Sequence, residues 1–137
     1  MKMRLQLVQN GHILFEVPLS PGDWTRRDLE LEFKAAEENF QQLSKIFDAL
    51  SHETRLKMMR RLIEEENHTM SFADFMKDLN LNPKLVWENS KKLEQGGLLE
   101  KTERGKYSIS QFGQTAFIMM SLALRHLMES IEETEEL

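Results

Sequence analysis

The chain has 137 residues, 40% apolar and 30% charged, which allows one ordinary buried core beneath a charged surface. No stretch approaches the ~18 consecutive apolar residues of a membrane-spanning helix, and the absence of cysteine removes disulfides, thiolate catalysis and thiolate metal sites together. The net charge of −5 speaks against indiscriminate nucleic-acid binding, yet residues 1–43, 44–112 and 113–137 carry −2, +1 and −4, so the middle of the chain is nearly neutral.

The first segment alternates. Leu5 and Leu7 share one face, Asn10-Gly11 supplies a turn, and Ile13, Phe15 and Val17 resume the period of two. Asn-Gly between alternating runs predicts a hairpin, because a type I′ turn needs positive φ at both central residues. Its apolar face is expected to need cover from the helical body. Pro18 and Ser20-Pro21-Gly22 end the strand. Thr25 and Asp28 resemble a capping box. After them Leu29, Phe33, Ala36, Phe40, Leu43, Phe47 and Leu50 recur every three or four residues, which predicts one long helix with a heptad seam. Three aromatics suit packing against another long helix, including one from a second subunit.

Ser51 stops that helix and can cap the next, which runs over about 52–66 with Leu56, Met59, Leu62 and Ile63 inward. A short helix follows over about 71–79, capped by Ser71. The next has Asn82 as cap and Pro83 at its first position. It ends before Gly96-Gly97, a pair that can supply a left-handed terminal residue. Two short runs around Glu103-Arg104-Gly105-Lys106 predict a second hairpin, and a last helix runs from about Gln111 to Glu133. In that helix ten of the fourteen residues from Thr115 to Met128 are apolar. A helix apolar around most of its circumference needs burial on more than one side, so a homodimer is expected. Most of the nine methionines fall at core helix positions, as gap-fillers.

Helix, short helix, helix, then a hairpin with a basic turn is the order of a winged helix-turn-helix. Over about residues 44–118 the sequence resembles the ArsR-type winged-helix transcriptional regulators. The carrying stretches are Ala49-Leu50-Ser51-His52-Glu53-Thr54-Arg55, Leu93-Glu94-Gln95-Gly96-Gly97-Leu98-Leu99 and Tyr107-Ser108-Ile109-Ser110-Gln111-Phe112-Gly113. The Asn82-Pro83 opening looks like the archaeal branch. The resemblance implies a mainly α fold with small β content: a winged helix-turn-helix with an N-terminal β-hairpin and long first and last helices. The expected parts are a hairpin and turn at 1–23, a winged-helix core at 24–112 that includes the long first helix, and a dimerisation helix with an acidic tail at 113–137.

The same resemblance implies a sequence-specific DNA-binding regulator acting as a homodimer in the cytoplasm. Its recognition helix, about 82–95, would lie in the major groove, and its wing, about 98–110, on the backbone. Lys84, Leu85, Trp87, Glu88 and Lys91 become the groove-facing positions, with Val86 and Leu93 in the core. Lysine can donate to guanine and glutamate can accept from cytosine. Lys92, Arg104 and Lys106 become phosphate contacts, which orient without reading sequence. Two positions depart from the family pattern: Ser90 stands where a core leucine is usual, and Trp87 is large for a groove-facing site. The alternative is a non-catalytic winged-helix module whose Trp87 surface or acidic tail docks a protein partner.

Arg55, Lys57, Arg60 and Arg61 form a basic cluster with two readings: a solvated face balancing Glu64, Glu65 and Glu66, or a phosphate contact. Family metal sites would need a thiolate pair near Asp74–Lys77, or a two-part C-terminal set of which only His126 and Glu129 are present. Two ligands per subunit fall short of a zinc site, so no cofactor or metal is expected. No Gly-rich phosphate loop, nucleophile elbow or catalytic triad occurs, which points away from an enzyme.

Overall fold

The structure, a computed structural model, describes residues 2–136. The chain divides into two compact units, Met1–Gln41 and Gln42–Leu137. In the first unit, β1 (Arg4–Gln9) pairs antiparallel with β2 (His12–Pro18) across Asn10-Gly11, whose φ values of 49° and 79° are those of the turn expected from sequence. The register shifts between Leu7 and Val8. Leu7 faces Phe15 while Val8 faces Ile13, so Ile13 leaves the Leu7–Phe15 face that plain alternation assigns it. Leu5, Leu7, Ile13 and Phe15 are all exposed. A two-stranded ribbon has no second layer of its own. Trp24 anchors the ribbon's end by donating from Nε1 to the Pro18 carbonyl at 2.8 Å.

Thr25 caps α1 (Arg26–Glu37) by accepting from the Asp28 N–H at 3.1 Å. The heptad run is interrupted after Glu37. The Asn39 N–H bonds Ala36 O at 2.9 Å and its side chain donates to Ala35 O, closing a turn before α2 (Phe40–Ala49). Asparagine competes locally for backbone carbonyls, and the hydrophobic spacing carries no signal of that competition.

The second unit is mainly helical with a small sheet. It contains α3 (Glu53–Glu64), β3 (Thr69–Ser71), α4 (Phe72–Leu79), α5 (Pro83–Gln95), β4 (Leu99–Lys101), β5 (Lys106–Ile109) and α6 (Gln111–Ile118). A π-helical segment (Met119–Ala123) then leads into α7 (Leu124–Glu136). The sheet order β3-β5-β4 and the α3–α4–α5 succession are those of a winged helix-turn-helix. The strand β3, only three residues long, has no period to betray it in sequence. It forms because Thr69, Met70 and Ser71 pair with Ser108, Tyr107 and Lys106 on β5.

The core gathers Met58, Met59 and Leu62 of α3, Phe75 of α4, Val86 and Leu93 of α5, and Leu98, Tyr107 and Ile109 around the sheet. The Phe75 and Tyr107 rings meet at 6.1 Å and 52°. Gly113 is buried, and a β-carbon there would lie 2.2 Å from the Leu98 carbonyl oxygen. Only glycine lets α6 approach this closely.

Candidate nucleic-acid interface

Local chemistry fixes both ends of the helix-turn-helix. Ser71 and Asp74 form a reciprocal capping box on α4, at 3.0 and 3.1 Å. The backbone N–H and hydroxyl of Ser71 hold the Asp74 carboxyl below its ordinary range. Asn80 ends α4 in the left-handed conformation, φ 52°, and Asn82 then caps α5 by accepting from the Leu85 N–H at 2.9 Å. Between the helices lies a three-residue turn. Gly97, at φ 74°, provides the positive φ after α5.

On α5, Val86, Asn89, Ser90 and Leu93 are buried. At 100° per residue the opposite face carries Lys84, Glu88, Lys91 and Gln95 as one stripe, all exposed. Leu85 and Lys92 flank it on one side and Trp87 on the other. Gln95 was not singled out by sequence reading, although the i, i+4, i+7, i+11 spacing from Lys84 could have found it. Ser90, in place of a bulkier core residue, turns its hydroxyl onto the Trp87 carbonyl at 3.1 Å. Trp87 is 55% exposed, with the Lys91 ammonium 4.6 Å from its ring centroid. Lys84 faces Glu88 at 3.9 Å. Lys92 donates to the Asp48 carboxylate at 3.0 Å and thereby holds that carboxyl below its usual range. An open groove of about 610 Å³ runs beside α5, bordered by His52, Thr54, Leu85, Glu88, Lys91 and Gln95 among others.

The β4–β5 hairpin turns through Gly105, φ 64°. Its base is closed by the Thr102 N–H to Lys106 O bond at 3.1 Å, and its tip is tied to α4 by the Phe72 N–H to Gly105 O bond at 2.7 Å. Arg104 and Lys106 are exposed, and neither side chain is ion-paired among the described residues.

The α3 basic residues behave differently from one another. Lys57 pairs with Glu53, Arg60 with Glu64, and Arg61 with both Glu65 and Asp78. These three make a charge-balanced face, one of the two readings of the cluster. Arg55 does not belong with them. It is only 9% exposed and donates to Ala49 O, Asp48 O and Asn89 Oδ1 at 2.8–2.9 Å. Its position, one turn before Met58 and Met59 on the inward face, accounts for this. The α3 cap is His52, whose Nδ1 accepts from the Thr54 N–H, while Ser51 bonds back to Asp48 O. Glu129, half of the C-terminal pair, is engaged by Arg125.

No protein-family model matches the sequence, and no match to a curated protein was found. Among solved structures, the chain is similar to an ArsR family transcriptional regulator at 22% identity and TM-score 0.48, over 64% of this chain and 97% of that one. It is also similar to a MarR family transcriptional regulator from Streptomyces coelicolor, at 13% identity and TM-score 0.44, over 74% and 82% of the two chains. No helix among the described residues is long and apolar enough to cross a membrane.

Proposed function

We propose that this protein is a sequence-specific, duplex-DNA-binding transcriptional regulator that acts as a cytoplasmic homodimer without a metal cofactor or enzymatic activity. The observation that carries the reading is the single polar stripe of α5, Lys84–Glu88–Lys91–Gln95, backed by a buried apolar face and followed by a short wing whose exposed cations, Lys101, Arg104 and Lys106, form no ion pair among the described residues. An α-helix fits the major groove, and these side-chain types can donate to and accept from base edges there. Leu85 and Trp87 flank the reading surface. Arg104 and Lys106 serve as phosphate contacts, as does Lys92 once it exchanges Asp48 for phosphate.

The dimer reading is supported by Ile118, Met119, Leu122, Leu124 and Met128, which are 46–56% exposed along the last helical stretch. An apolar groove of about 350 Å³, lined by Phe47, Leu56, Phe117 and Met120 among others, opens beside them. In this reading 113–137 joins two copies, 24–112 reads DNA, and 1–23 is an added hairpin. The Asn82-Pro83 opening is what supports an archaeal-like relationship. Two α5 helices would then lie one duplex turn apart, ~34–36 Å, on a roughly palindromic site.

Selection from random duplexes with purified protein tests this. Lys84→Ala or Lys91→Ala should cost on the order of 1–3 kcal/mol in affinity and relax preference at particular base pairs. Arg104→Ala or Lys106→Ala should weaken all duplexes about equally and flatten the dependence on salt. A second reading, a protein-docking module, is favoured by the exposed Trp87 ring alone. It wins if all four basic substitutions leave duplex binding unchanged while Trp87→Ala abolishes capture of a protein partner.

A further inference from the structure

Arg55 is a nearly buried cation with no carboxylate among its hydrogen-bond partners. Its Nε donates to Ala49 O at 2.8 Å and its Nη2 to Asp48 O at 2.9 Å, so the guanidinium sits against the final carbonyls of α2. Those carbonyls are unsatisfied by the helix itself and carry the negative end of its dipole. A third bond, from Nη1, reaches Asn89 Oδ1 on α5 at 2.9 Å. The Asn89 amide has no freedom to turn round, because its Nδ2 donates to Leu85 O at 2.8 Å and its oxygen must therefore face Arg55. One turn further along α5, Lys92 meets the side chain of the same Asp48 whose carbonyl Arg55 holds.

We propose, building on the DNA-binding reading above, that Arg55 and Asn89 are positioning residues that fix the rotation of α5 about its own axis and so set which base edges its polar stripe can read. Asn89 lies on the face of α5 away from the Lys84–Lys91 stripe, so it touches no base. Its contacts tie that buried face to the end of α2 through a planar, three-pronged group. Apolar packing by Val86 and Leu93 alone is non-directional and tolerates small rotations. A rotation of about 15° displaces atoms at the ~6 Å side-chain radius by about 1.5 Å. A base-reading site needs its groups within about 0.5 Å. Phosphate contacts from the wing do not depend on that angle.

The test compares the full chain with Asn89→Ala, which cuts only the α5 end of the latch, and with Arg55→Lys, which keeps the charge but not the planar fork. Affinity is measured for a duplex selected with the wild type and for a scrambled duplex, across a salt series and well below each variant's own melting temperature. The expected result is a fall in the selected-to-scrambled ratio of about tenfold or more, with scrambled-duplex affinity and salt slope unchanged. A merely structural loss would lower both affinities together and leave the ratio alone. If the wild type discriminates between duplexes and both variants retain its full ratio, the positioning role is overturned while the DNA-binding reading stands. If the wild type binds no duplex in a salt-dependent way, both fall.

Discussion

Two single residues carry more than their size implies. Gly113 accepts the Leu98 carbonyl where a β-carbon would sit, and that carbonyl is itself held by the Ser110 N–H at 3.0 Å. Backbone, not a flexible side chain, would have to move. Gly113→Ala should therefore cost at least about 1–3 kcal/mol, read as a lower denaturation midpoint with an unchanged slope. Asp48 offers a titration test. Its folded-state pKa is depressed, chiefly by the Lys92 hydrogen bond, so its stabilising contribution is present above the unfolded-state value near ~3.9 and disappears as pH falls through the folded value. In Lys92→Ala the Asp48 carboxyl should titrate closer to an ordinary aspartate, as followed by carboxyl NMR. An unshifted titration would mean that the pair does not persist in solution. At this scale the sequence was readable where a residue type has one common use: Asn82 and Pro83 opening α5, Ser71 capping α4, Val86 and Leu93 inside. It was not readable for Arg55, because an arginine on a helix with three other cations reads as solvated until its distant acceptors, Ala49 O and Asn89 Oδ1, are brought to it by folding.

Among the elements, periodicity served the helices of the second unit well, since each buries one face against a shared core. It overran the Glu38–Asn39 turn because the apolar spacing continues straight through it, and it assigned Ile13 to the wrong side because a bulge leaves no trace in an alternating pattern. The third strand was invisible for the reason that makes it useful: it draws its order from β5, not from its own three residues. The cap that starts α4 straight after that strand is accordingly exposed to test. Ser71→Ala removes the acceptor for the Asp74 N–H and should cost about 1 kcal/mol in thermal or denaturant melts. It should also let the Asp74 pKa rise, so that less stability is lost between neutral and acid pH than in the wild type.

For the molecule as a whole, apolar surface is unevenly left over. Phe33, Phe40 and Phe47, spaced by seven, are each 54–60% exposed, as are the large side chains of the last helical stretch at 46–56%. Exposure on that scale marks an association surface more often than a free one. Sedimentation at micromolar concentration should give a dimer, and Leu122→Glu should give a folded monomer with unchanged helix content. A wild-type monomer would remove the second subunit from the functional reading. The expectation of a second copy rests on composition, because ten of the fourteen residues from Thr115 to Met128 are apolar, more than one small core can cover.

The π-helical segment Met119–Ala123 has a consequence for how this chain should be aligned with any chain whose last helix runs straight. A π turn accommodates one residue more than an α turn, so every side chain from Leu124 onward is rotated by about 100° from the phase set by Gly113 and Ala116. An ungapped alignment to such a chain would therefore match inward positions with outward ones from that point, and one gap within 119–123 would restore the correspondence. Deleting Ser121 performs the same operation on the protein. The helix should run straight while the side chains from Leu124 onward keep the faces they present in the wild type, so sedimentation should still give a dimer and the fold before residue 119 should melt as in the wild type; a monomer would mean that the π turn itself shapes the contact.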